Sequence, residues 1–225
     1  MNKMGSTSLN VFMKCSKQFN TTHYGCGPLT LAENSKKERY TRATVPCGKC
    51  IHEALQDRVK KHAPLAACGG VSDSNPTGFN SFMQLDYNRG EDECIFPQMT
   101  ALEEIHREYP HATLILLSRP LNDWINSVNH WQDLRQRFID CNYEDLPTGK
   151  GRNPFQLQSW VCNHIARVRQ FVKDHPTHAL IELNLYDTKQ ADYYLSRLLI
   201  GASQGTKCFG KANQGDKQEE KKKSK

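Results

Sequence analysis

The chain has 225 residues, 37% hydrophobic and 24% charged, which is enough for one α/β domain with its own core. The net charge is +6, and the Lys-rich end from Asp216 to Lys225 supplies part of it, so the excess over the rest is too thin for a nucleic-acid binder and suits a small anionic ligand. No apolar run is long enough to span a bilayer and Met1–Asn10 lacks the apolar stretch of a signal peptide, so a membrane anchor is expected only upstream of Met1.

In chain order, residues 1–15 read as a loop entering a helix, with Leu9, Phe12 and Met13 at helical spacing. Residues 16–78 are rich in Gly, Ser, Asn, Thr, Pro and Cys and read as a stapled insertion with one short helix over 51–61. A short strand is expected within 79–87, and a helix over 98–109 with Met99, Leu102 and Ile105 on one face. The continuous apolar run 112–118 predicts a buried parallel strand. A helix over 121–138 would turn Trp124, Ile125, Val128, Trp131 and Phe138 inward. The clearest helix covers 155–174, where Leu157, Trp160, Val161, His164, Ile165, Val168, Phe171 and Val172 keep a 3.6-residue period. A strand over 179–185, a short helix over 192–200 and a disordered Lys-rich tail over 214–225 complete the chain. Strands alternating with helices predict an α/β fold, a doubly wound parallel sheet with crossover helices, in a single domain over 1–213.

Nine cysteines leave at least one thiol unpaired and favour a secretory compartment, as does the sequon Asn20-Thr21-Thr22. Cys47 and Cys50 form a C-x-x-C knuckle that, with Cys26 and Cys68, fits either disulfides or a structural zinc site.

The chemistry-bearing segment is Lys3-Met4-Gly5-Ser6-Thr7-Ser8. A phosphate-binding turn needs a glycine, amides at a helix start, small hydroxyl side chains and a cation, and all stand here in order. The Walker A pattern G-x-x-x-x-G-K-S/T does not fit, because Lys3 precedes Gly5. Farther on, Arg119 ends the apolar strand and Ser127 follows about two turns into the next helix. In open α/β sheets ligands bind outside the carboxyl ends of strands, where a guanidinium and a hydroxyl can clamp a phosphate.

The order lysine, small residue, glycine, two hydroxyl residues resembles the 5′-phosphosulfate loop of sulfotransferases that use 3′-phosphoadenosine-5′-phosphosulfate (PAPS), with Asn2 in place of the usual proline and Met4 in place of a small residue. Arg119 with Ser127 resembles their 3′-phosphate element, and the segments 96–120, 146–151, the helix carrying Trp160 and Cys162, and 175–187 follow in a similar order. The resemblance covers 1–15 and 79–213. It implies a P-loop-like fold whose first strand, expected before Lys3, is missing. It implies sulfuryl transfer to a hydroxyl or amine acceptor, a carbohydrate among the candidates; the cysteines and the sequon favour the secretory pathway or Golgi lumen over the cytoplasm for it. Lys3 would be catalytic; Gly5, Ser6, Thr7, Ser8, Arg119, Ser127, Lys150 and Gly151 would bind cofactor; no metal would be needed. Gly210–Asn213 would fold back near the cofactor. Asp86 is the leading candidate for the general base, with His23 second, whereas His164, on an apolar helix face, reads as a core histidine. The rival expectations are an inactive or truncated nucleotide-binding remnant, and a Cys-rich interaction module on an α/β scaffold. A P-loop ATPase or kinase is poorer still.

Overall fold

The computed structural model describes residues 3–27, 29–31, 40–42, 45–88, 94–210 and 212; Lys211, Asn213 and the tail at 214–225 lie outside them. Helix α1 (Ser6–Ser16) buries Leu9, Phe12 and Met13 on one face and leads to β1 (Thr21–His23). After α2 (Cys47–Gln56) comes β2 (Ser81–Met83), which pairs with β1 in parallel, Thr21 against Ser81 and His23 against Met83. Helix α3 (Leu102–Glu108) precedes β3 (Thr113–Ser118). Then follow α4 (Leu121–Asn129), α5 (Leu134–Asp140), α6 (Pro154–Asp174), β4 (Ala179–Asn184) and α7 (Thr188–Ile200). Strands β3 and β4 pair in parallel from Thr113–Ala179 to Ser118–Asn184. The chain is thus mixed α/β. Among the described residues its parallel strands form two separate pairs rather than one continuous sheet.

The longest helix has the best start. Asn153 accepts from the Phe155 N–H at 2.9 Å, Gln156 reaches back to the Asn153 N–H at 3.3 Å, and Pro154 opens the first turn. This capping box with proline satisfies amides that the helix itself leaves unpaired. Elsewhere local chemistry cuts helices short. Asp57 Oδ1 accepts from Val59 N–H at 2.9 Å and from Lys60 N–H at 3.1 Å, so α2 ends at Gln56 and not at residue 61. The span expected as one helix over 121–138 breaks between α4 and α5, where Gln132 has a φ of 49°. That break turns Trp131 outward, 43% exposed, instead of into the core. The helix expected over 98–109 likewise breaks at Ala101 into Pro97–Thr100 and α3.

Four disulfides join Cys15 to Cys208, Cys26 to Cys47, Cys50 to Cys68, and Cys94 to Cys141. Cys162 is the free thiol. The four cysteines that could have formed a zinc site are therefore two disulfides that close the 26–68 segment around Ile51, Ala54 and Leu65. This density of bridges indicates an oxidising, extracellular or secretory environment. Among the described residues no helix is long and apolar enough to cross a membrane. The sequon's Asn20 Nδ2 donates to the Thr77 and Gly78 carbonyls at 2.6 and 3.1 Å, so the folded chain uses the amide that a glycan would need.

Candidate functional site

The carboxyl ends of the four parallel strands meet at the start of α1. Gly5 sits with φ 108°, and a Cβ there would lie 2.8 Å from Leu185, just past β4, and 3.4 Å from Leu117 in β3. Both the backbone conformation and the space demand glycine. Next door, Ser6 Oγ donates to Gln84 Oε1, just past β2, at 3.2 Å, and lies 3.2 Å from Nε2 of His23, the last residue of β1. No side chain caps α1 and no acid stands in its first turn, so the helix presents its positive end to the strand ends.

Two cations border this turn. Arg119 Nη1 donates to the Lys3 carbonyl at 3.3 Å, and Nη2 donates to the Tyr186 hydroxyl at 3.2 Å. The Tyr186 hydroxyl in turn donates to Asp123 at 2.7 Å. Arg119 Nε is buried without a partner. Lys3 Nζ rests 3.6 Å above the ring centroid of Trp131; partial burial and then the Arg119 charge push its pKa below the ordinary lysine value. The arrangement suits an anion: positive charge converges where a helix begins, and one guanidinium N–H still lacks an acceptor.

The remaining expected residues scatter in instructive ways. Thr7 lies half-buried in the first turn of α1 and Ser8 is buried there; Ser8 Oγ accepts from the Ala212 N–H at 3.0 Å, so the returning C-terminal segment touches the turn. Ser127 is half-buried on α4. Lys150 is exposed, and the Gly151 N–H donates to Gln156 at 2.9 Å as part of the α6 start. Asp86 is 1% exposed, and its charge helps hold the Tyr143 hydroxyl protonated, after burial of that hydroxyl itself. By contrast His23, half-buried, touches the turn through Ser6, and burial followed by the Lys14 charge lowers its pKa. His164 is a core histidine, 4% exposed, with its pKa depressed to about 3 chiefly by burial.

Sequence patterns do not single out Tyr186 or Asp192, and they put Trp131 in the core rather than beneath Lys3. Tyr186 could have been found by the strand-end rule that finds Arg119, since it follows β4. Asp192, 6% exposed, accepts from the Lys207 and Phe209 N–H groups at 2.8 and 2.9 Å. With the Cys15–Cys208 bridge it folds the C-terminal segment back toward Ser8. No local signal marks it, because its partners lie in an irregular segment.

Behind the turn a cavity of about 930 Å³ separates the two strand pairs. Residues 81–85 line one side, 113–117 the other, and Met4 and Ser6 its carboxyl-end limit. No family model, no curated protein and no solved structure matches the chain.

Proposed function

We infer that the chain acts as a PAPS-dependent sulfotransferase of the secretory pathway, in the Golgi lumen, moving a sulfuryl group to a hydroxyl or amine acceptor such as a carbohydrate. The observation that carries this is the contact of Arg119 with the Lys3–Ser8 turn at the strand ends: two segments picked independently from the sequence lie at one positively charged place. The residues there fit the nucleotide's anionic groups. Gly5 allows close backbone approach, the α1 start offers amides and hydroxyls to the 5′-phosphosulfate, and Arg119 with Ser127 serves the 3′-phosphate. PAPS supplies an activated sulfuryl group. Lys3 neutralises charge that builds on the departing phosphate oxygen as the acceptor oxygen or nitrogen bonds to sulfur.

The acceptor proton needs a base. His23 suits that role better than Asp86, since it touches Ser6 and its lowered pKa leaves it neutral near pH 7. A nucleotide-binding remnant without turnover is the second reading, favoured by the Lys3 ammonium being held over the Trp131 ring, 3.6 Å from its centroid.

Thermal-shift titration with adenosine 3′,5′-bisphosphate, with ADP as control, tests binding. Saturation at 100-fold Kd adds about 2.7 kcal/mol, a rise in Tm of about 5 °C. Arg119→Ala should cut bisphosphate affinity at least tenfold, ~1.4 kcal/mol or more, and AMP affinity far less. No shift with the bisphosphate, or equal losses for both ligands, sinks the assignment. Selective binding without sulfuryl transfer to any acceptor tried selects the remnant.

A further inference from the structure

Three histidines from three segments meet at the amino ends of β3 and β4. His106 is on α3, His175 follows α6, and His178 precedes β4. Their rings pack against Phe171 of α6, with centroids 4.4 to 6.3 Å from its own. The His106 and His175 centroids are 4.2 Å apart. In the neutral rings the hydrogen bonds fix where the hydrogens are. His178 Nδ1 lies 2.9 Å from the Ala112 carbonyl, which can only accept, so Nδ1 carries the hydrogen and Nε2 the lone pair. His106 Nδ1, 2.9 Å from that Nε2, is therefore the donor. His175 Nδ1 donates to the Phe171 carbonyl at 3.0 Å, which leaves its Nε2, 3.5 Å from Glu103 Oε2, for an added proton. The His106–His178 pair can hold one added proton, on the far Nε2 of His106, with the bond between the rings kept. A second would put hydrogens on both facing nitrogens, and that bond is lost.

The charged neighbours do little to relieve this. Glu103 faces His175, Arg107 adds positive charge while pairing with Glu104 at 2.8 Å, and Asp174 accepts from Gln170. Burial of His106, then the charges of His175 and His178, push its pKa below the ordinary 6.5 against the pull of Glu103. The fold thus favours the neutral ring, and that contribution is complete above pH 6.5 and lost as pH falls. At its carboxyl end α3 also grips the disulfide-closed segment. Glu108 accepts from the Leu65 and Ala66 N–H groups at 2.9 and 2.7 Å, and the Tyr109 hydroxyl donates to Val71 O at 2.6 Å.

We propose that the three histidines are an acid-operated lock: near neutral pH they tie α3 to the 175–178 turn, and at the pH of an acidified secretory compartment they release α3 together with its grip on residues 65–71. In the opened chain each ring takes its own proton below about pH 6.5. The closed pair takes one fewer, so opening becomes about tenfold more favourable per pH unit below that point. This inference stands on the histidines and not on sulfuryl transfer, and it is tested without nucleotide.

Hydrogen exchange of the full chain, corrected for intrinsic rates, is compared at pH 7 and pH 5. The opening constant of the amides of residues 105–109 should rise at least tenfold, and that of Leu65 and Ala66 with it. His106→Asn keeps a side-chain N–H near the Nδ1 position and cannot be charged, so it should hold protection at pH 5 in both places. No rise in the unsubstituted chain, or an equal rise in His106→Asn, overturns the lock. A rise at Leu65 and Ala66 that persists in His106→Asn while α3 stays closed traces to the Glu108 carboxyl itself and overturns the coupling. Should His106→Asn not fold, 15N NMR of the unsubstituted chain decides. Expected are hydrogen on Nδ1 of His178 at pH 7.5 and one ring of the 106–178 pair still neutral at pH 5. Hydrogen on Nε2 of His178 at pH 7.5, or both rings charged at pH 5 with α3 still protected, overturns the proposal.

Discussion

Helix α6 faces two very different environments. On one side Trp160 is fully buried among Phe96, Phe138 and Tyr143, with Phe96 and Phe138 edge-on to it at 5.5 and 5.4 Å between ring centroids. Its indole N–H donates to the Glu144 carbonyl at 3.0 Å. On the other side His164 and Val168 look onto the cavity, where residues 114–117 are half-exposed and the His164 Nδ1 has no partner. The same 3.6-residue repeat serves both. The filled side draws its partners from residues 96–146 and from Met4, with Cys94–Cys141 bridging that segment. The open side faces the cavity between β2 and β3, which hydrophobic periodicity on a helix cannot fill.

The comparison can be broken by substitution. Trp160→Ala should be the most damaging change, costing about 3–5 kcal/mol, because it empties a closed aromatic cluster and removes a satisfied indole; chemical denaturation measures it. A cost below 1 kcal/mol would mean that the two sides do not differ in packing.

His164 probes the open side through pH. Its folded pKa of about 3 lies below the ordinary 6.5, chiefly through burial, so the fold favours the neutral ring. The stability this contributes is complete above pH 6.5 and is lost as pH falls toward 3. At pH 4.5 the loss should be about 2–3 kcal/mol relative to pH 7.5. His164→Leu should remove that part of the acid sensitivity, read from denaturant midpoints at the two pH values. An unchanged pH dependence would mean that the ring is hydrated through the cavity.

Leu116→Ala should have the smallest effect, about 1 kcal/mol, because this side chain already meets open space. A large cost would place Leu116 in a closed core.

Legibility followed the range of the forces involved. The strands at 113–118 and 179–184 and the helix at 154–174 lie close to where the apolar runs and the eight-residue periodic stripe put them. Local signals, a Pro-flanked apolar run and a capping box, encode them within a few turns of chain. No glycine or proline marks the break at Gln132, so the helical pattern of the sequence runs straight through it. Its consequence, a Trp131 ring beneath Lys3, joins residues 128 positions apart. Pairing of the cysteines was equally opaque: an unpaired thiol follows from the odd count, but its identity as Cys162 depends on which sulfurs meet in space.

For the candidate site, the sequence alone determined the ingredients: a lysine, a glycine and three hydroxyl residues at a helix start, and an arginine at a strand end. Only the tertiary structure decided that Arg119 lies against the Lys3 carbonyl, that His23 and not Asp86 touches the turn through Ser6, and that the two strand pairs stand apart across an apolar cavity. The reason is physical. Backbone propensity and side-chain period act over a few residues, whereas the convergence of strand ends and the spacing of sheet edges are set by packing between segments tens of residues apart.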